Sequence, residues 1–262
     1  MSLTRSTFRR IAALCLILCA QPAAADEALD QVVSCMRANI PKSLQIKEIA
    51  LTATDRTGGI REMRGRLYGM REDERLRAMV KIASPADLAG AAYLLREKAD
   101  GDEMYVFVPA LQKVRRITGV GTDGTLWGTD LSYGDLKQLN NAFVSGQTRL
   151  DGKGELAGRP VYLLTSLPAA GDGSRFAQIK VWVDQKTCVG LRADFLEGDT
   201  VRKRLDVDPA SLRQSGPHWY AGEALMSDLK EGTKTRLRVL GLSSDIDLPG
   251  RHFNPSTFYL GS

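Results

Sequence analysis

The hydrophobic pattern changes period once near the start of the chain and then holds. Residues 27–40 place Leu29, Val32, Val33 and Met36 on one helical face, and Pro41 ends the run. Beyond it the period is two. Ile49, Leu51 and Ala53 alternate with polar neighbours, and Arg56-Thr57-Gly58-Gly59 supplies a turn. Met63, Gly65 and Leu67 share a face opposite Arg64, Arg66 and Tyr68. After a turn at 72–74, Leu76, Ala78, Val80 and Ile82 alternate with Arg75, Arg77, Met79 and Lys81. Three such runs at hairpin spacing predict an antiparallel meander.

The alternation continues at 91–97, 103–109 and 112–118, then at 146–151, 159–166, 176–184, 189–197, 200–207, 217–226 and 234–241. Between them, 119–133 is rich in Gly, Thr and Asp and predicts a flexible loop, and 133–143 predicts a short helix with Leu136, Leu139 and Phe143 on one side. The tail carries Pro249 and Pro255 and little periodicity. About twelve strands in short-turn succession make a mainly β (α+β) fold, and a sheet that wide must curl to bury a face. The expected architecture is a curled antiparallel sheet, an unclosed β-barrel covered by the N-terminal helix and the short central helix, enclosing an apolar cleft.

The first residues alter the composition. Arg5, Arg9 and Arg10 precede a ten-residue apolar run at 11–20, and Ala23 and Ala25 stand where a cleavage after residue 25 requires small side chains. This is the grammar of a secretory signal peptide. The run is too short to span about 30 Å of hydrocarbon, and Leu18 before Cys19 does not suit a lipidation site. Residues 1–25 are thus read as a cleaved signal and 26–262 as one domain, exported to a bacterial periplasm. The formal charge of +5 falls to +2 on cleavage, with 33 basic against 31 acidic residues left. That balance does not predict a nucleic-acid partner. Two of the four cysteines leave with the signal. Cys35 and Cys188 remain, and a lone pair in an exported chain predicts a disulfide, with two buried free thiols as the rival.

Candidate chemistry is sparse. There are two histidines, His218 and His252, and no GxSxG, HExxH, Walker A or CxxC motif. The expectation is no catalytic residue, no metal site and no cofactor. Strand alternation nominates a cargo-binding cleft of Met63, Leu67, Leu76, Val80, Met104, Val106, Val108, Ile179, Val181, Leu191 and Ala193. Trp127, in the glycine-rich loop, is nominated with Leu136, Leu139 and Phe143 as a lid over its mouth, with Asp130 capping the turn before the helix. The densest basic cluster includes Arg115 and Arg116, candidate headgroup contacts at the rim.

Several segments carry a family resemblance: Glu103–Pro109 (EMYVFVP), Lys113–Ile117 (KVRRI), Gly158–Tyr162 (GRPVY), Trp182–Asp184 (WVD) and, above all, Gly128–Leu136 (GTDLSYGDL). Over roughly residues 30–260 the sequence resembles the outer-membrane lipoprotein-sorting (LolA-like) proteins of Gram-negative bacteria, in the branch with a GTD-x-SY motif, which implies a Gram-negative periplasm. The resemblance implies a periplasmic carrier that shelters acyl chains of a lipoprotein or another lipid on the way to the outer membrane. An inner-membrane transporter and an outer-membrane acceptor are the implied partners. The alternative reading is a non-carrying adaptor of an inner-membrane exporter of the resistance-nodulation-division type.

Overall fold

The computed structural model describes residues 22–140, 142, 147–168, 174–245 and 252–260. Helix α1 (Pro22–Ala38) leads into β1 (Leu44–Thr54), β2 (Ile60–Glu72), β3 (Arg75–Ser84), β4 (Ala92–Arg96), β5 (Glu103–Val108) and β6 (Lys113–Ile117). The one-turn helix α2 (Leu136–Leu139) separates these from β7 (Gln147–Leu156), β8 (Arg159–Leu167), β9 (Gln178–Asp184), β10 (Gly190–Glu197) and β11 (Thr200–Val207). The small hairpin β12 (Leu212–Ser215) and β13 (His218–Ala221) precedes β14 (Glu223–Asp228) and β15 (Thr233–Asp245).

Thirteen strands form one sheet in the order β6-β5-β4-β3-β2-β1-β15-β14-β11-β10-β9-β8-β7, every pairing antiparallel. The ends, β6 and β7, do not pair, so the sheet is unclosed. Laid flat it would be about 58 Å wide at the usual strand spacing. Yet Met104 of β5, Leu51 of β1, Leu205 of β11 and Val161 of β8 belong to one packed cluster. Only a curled sheet brings those residues together, and the expected half-barrel is what forms.

Alternation assigns the faces as the sequence predicts. Leu76, Ala78, Val80 and Ile82 enter the concave cluster with Met63 and Leu67, while Tyr68 and Met79 point outward. Val32 and Met36 of α1 close one part of the concavity. Cys35 and Cys188 are bonded, with Cα atoms 5.8 Å apart, and tie α1 to the β9–β10 turn. Asn39 reinforces the tie: its side-chain N–H donates to the Thr187 carbonyl at 2.7 Å, and its oxygen accepts from the Trp219 N–H at 2.8 Å.

Three expectations change. The strand expected over 217–226 is two, broken at Gly222, where a Cβ would lie 2.5 Å from the Ser211 carbonyl oxygen and only glycine fits. The helix expected over 133–143 is the single turn α2 among the described residues: Tyr133 and Gly134 belong to the turn before it, bonded to the Gly124 and Thr122 carbonyls, and past Leu139 the Asn140 and Ala142 N–H groups both turn to the Lys137 carbonyl. The tail is not idle: His252, Phe253 and Phe258 are buried, and the two phenylalanines pack with Tyr68, Met70, Met79, Leu94 and Phe107 into a second core on the convex face. The signal peptide reading falls mostly on residues 1–21, outside the described residues, and its cleavage point lies in the first turn of α1.

Candidate functional site: the concave face and its cover

The concave face is apolar because one side of each strand is. Nine of the nominated cleft residues, Met63, Leu67, Leu76, Val80, Met104, Ile179, Val181, Leu191 and Ala193, pack in the single concave cluster. Val106 is buried and sits opposite Tyr93 of that cluster. Val108 is only half-buried, at the end of β5 where the chain enters a turn.

The cover is the GTD-x-SY segment, and it is a built structure rather than a loose loop. Thr125 and Ser132 form a β-bridge. Between them Trp127 and Gly128 both take positive φ, +52° and +75°, and the Thr129 N–H closes the turn on the Leu126 carbonyl at 2.9 Å. Two consecutive left-handed residues are what a tight hairpin turn asks for. Leu126, Leu131 and Leu136 are thereby pressed fully into the concave cluster, with Trp127 and Leu139 partly buried beside them. Phe143 lies outside the described residues.

Polar bonds fasten this cover to both flanks of the sheet. Asp130 does not cap a turn as expected; its carboxylate accepts from the hydroxyls of Thr233 and Thr235 on β15, the latter at 2.6 Å, and its N–H donates to Thr235. Asp135 accepts from the Ser132 N–H at 2.6 Å, as in a capping box, and pairs with Lys203 of β11. Both partners of that ion pair are about 2% exposed. On the other flank the Tyr93 hydroxyl donates to the Tyr133 carbonyl at 2.6 Å. Burial pushes the Tyr93 phenol well above its ordinary pKa, so it stays a donor. The sequence marks these residues as a motif but not as a latch, since their partners lie 40 to 105 positions away.

Beneath the cover a narrow apolar crevice of about 10 Å³ remains, lined by Ile49, Leu51, Leu67, Val80, Trp127 and Leu139 among others. Among the described residues the cover leaves little space at this point of the concave face. A larger polar groove, about 570 Å³, lies where Asp55, Arg61, Asp123, Asp130, Lys203 and Glu231 converge beside the latch. No sequence pattern pointed to it, because its residues come from strands and turns far apart in the chain.

Arg115 and Arg116 lie on opposite faces of the sheet. Both are exposed on the free edge strand β6, Arg115 across from Val106 and Arg116 across from Tyr105. Charges on an unpaired edge are the usual guard against edge-to-edge association.

Three solved structures share this architecture. A DUF1329 family protein from Desulfovibrio piger superposes with a TM-score of 0.78 at 22% identity, covering 88% of this chain and 98% of that one. A protein domain from Vibrio parahaemolyticus, described as outer membrane lipoprotein-sorting, gives 0.75 at 19% identity, covering 86% and 96%. A LolA superfamily protein from Nitrosomonas europaea gives 0.67 at 16%, with the same coverage. Among curated proteins none matches. The fold is thus LolA-like, and a family model described as "Uncharacterized protein" matches residues 74–259, so the chain belongs to that family.

Proposed function

We propose that the protein is a periplasmic carrier that shelters acyl chains of a lipoprotein or lipid on its concave face and delivers them towards the outer membrane. The observation that carries this reading is the cover. An unclosed, apolar sheet face is sealed by a short segment held on its flanks by a handful of side-chain bonds, those of Asp130, Asp135 and Tyr93. Releasing those bonds would expose a continuous apolar surface. Each methylene buried there is worth about 0.8 kcal/mol, so one long chain would gain on the order of 10 kcal/mol before costs. Such a function needs binding and release and no catalytic group. The Cys35–Cys188 bond fits an oxidising compartment, as does the signal peptide reading of residues 1–25.

The tight packing beneath the cover, where the crevice holds only about 10 Å³, favours the second reading, a non-carrying adaptor docked on an inner-membrane exporter. Uptake of a fluorescent acyl probe separates the two. A carrier takes up the probe saturably, and the Thr233→Val, Thr235→Val double variant, which frees Asp130, takes it up several-fold faster. An adaptor takes up none in either form.

A further inference from the structure

At the end of β1 away from the polar groove, two polar side chains face inward without an ion pair or a side-chain hydrogen bond among the described residues. Gln45 and Lys47 lie on the concave side of β1, opposite Gly69 and Leu67 of β2. Gln45 is 6% exposed and makes no side-chain hydrogen bond within the described residues. Lys47 has no ion pair there either; its ammonium lies 5.2 Å from the centre of the Tyr220 ring of β13. Burial alone pushes its pKa down to about 8, with no carboxylate to hold it up. Both line a small pocket whose other walls are Asn39, Gly69, Asn140 and the side of Leu67, with no acidic residue among them. Gly69 is needed there: a Cβ would stand 2.7 Å from the Asn140 side-chain oxygen, so its absence lets the segment after α2 roof the pocket.

Gln45 is a buried residue whose amide makes no side-chain hydrogen bond among the described residues, which is costly unless something occupies it, and Lys47 beside it is half-buried with no ion pair there. The Lys47 cation, the Gln45 amide and the lack of acid together describe an anion site; the Asn39 and Asn140 amide N–H groups are already given to the Thr187 and Leu136 carbonyls. Its neighbour gives the anion's attachment. Leu67 is a wall of this pocket and also of the apolar crevice under Trp127, so the two cavities adjoin along one strand. The pocket itself holds about 10 Å³, the size of one water. A planar carboxylate therefore fits with less displacement of Asn140 than a phosphate does.

We infer that Lys47 and Gln45 form the headgroup subsite for an anionic single-chain lipid, a long-chain carboxylate whose tail runs past Leu67 into the crevice beneath the cover. This rests on the carrier reading and gives the ligand a polarity along the cleft: anionic end at α1 and β13, tail towards the GTD-x-SY hairpin. Lys47 then takes the headgroup role inside the cleft, while Arg115 and Arg116 stand exposed on the edge strand.

The test is calorimetric binding of palmitate, hexadecanol and inorganic phosphate at pH 7 to the wild-type chain and to Lys47→Met and Gln45→Leu. Palmitate should bind at least tenfold more tightly than hexadecanol. Lys47→Met should abolish that preference while leaving hexadecanol affinity unchanged, which also shows that the variant is folded. Titration of the Lys47 Nζ by NMR should show palmitate moving its midpoint from about 8 towards its ordinary 10.5, and phosphate leaving it in place. Equal binding of palmitate and hexadecanol to the wild type keeps the carrier and overturns the subsite. Preference retained in Lys47→Met also overturns it. A midpoint moved by phosphate alone assigns the pocket to a free anion. Failure of both lipids to bind overturns the carrier reading and the subsite with it.

Discussion

Lys203 and Asp135 carry opposite charges at about 2% exposure each, with the Phe195 ring 5.5 Å from the ammonium. An ion pair in that position adds little net stability over an apolar pair, but breaking it strands a charge. Asp135→Ala should therefore cost about 3–5 kcal/mol. The double variant Asp135→Leu, Lys203→Met should recover most of that loss in denaturant titrations, and a double variant as unstable as the single one would show that the pair stabilises the fold by itself. Trp127 poses a different question, because it combines partial burial with φ +52°. Left-handed backbone costs an alanine about 1 kcal/mol more than a glycine. Trp127→Gly should thus melt higher than Trp127→Ala, although it removes more atoms; the reverse order would mean that side-chain packing governs the turn. The sequence displays Trp127 as a large apolar group inside a glycine-rich stretch, and from that its docking is legible. Its backbone conformation is not, since nothing local distinguishes this turn from a loose loop.

Among the elements, the β9–β10 connection bears the heaviest load. Asp184 at its start is fully buried. Burial raises its carboxyl, but a bidentate pair with Arg159, at 2.8 and 2.9 Å, and two bonds from Thr187 outweigh that and hold the pKa below its ordinary 3.8. A depressed pKa gives stability that is complete above the unfolded value and is lost as the pH falls through the folded one. The stability of the wild type should therefore decline below about pH 4. In Asp184→Asn the decline should be shallower and the stability at neutral pH lower; an acid limb of unchanged slope would place the titrating group elsewhere. The same turn holds Cys188, and its bond to Cys35 closes a loop of 153 residues. Reduction should cost roughly 4–5 kcal/mol by the loop-entropy account, read as a fall in the urea midpoint. This pairing was legible because only two cysteines follow the signal segment. The brevity of α2 was not: its apolar spacing reads as a longer helix, while the residues before it are held by carbonyls 122 and 124 and its last turn closes on the Lys137 carbonyl.

Over the whole molecule, alternation disclosed the concave face strand by strand, because each strand writes that face in its own sequence. The convex core and the latch escaped it for a shared reason: each joins segments that are distant in the chain and carry no period. Phe258 meets Phe107 and Tyr68 across about 150 positions or more, from a tail whose prolines and polar residues read as idle. The two cores divide the work. The convex one is apolar packing against 252–260, while the concave one is closed by a hairpin whose hold is polar at its margins. Cargo loading should then move the hairpin and leave the sheet in place. A chain with Trp182 and Trp219 replaced by phenylalanine reports on Trp127 alone, since the protein has three tryptophans. Binding of a non-fluorescent acyl ligand should change the Trp127 emission, while near-ultraviolet signals from Tyr68 and Tyr259, on the convex side, stay as they were. Trp127→Ala should alter the rate of loading or release more than the melting temperature. An emission spectrum unmoved by verified binding, together with a large loss of stability in Trp127→Ala, would make Trp127 part of a static core and place the entry route for cargo at another point of the concave face.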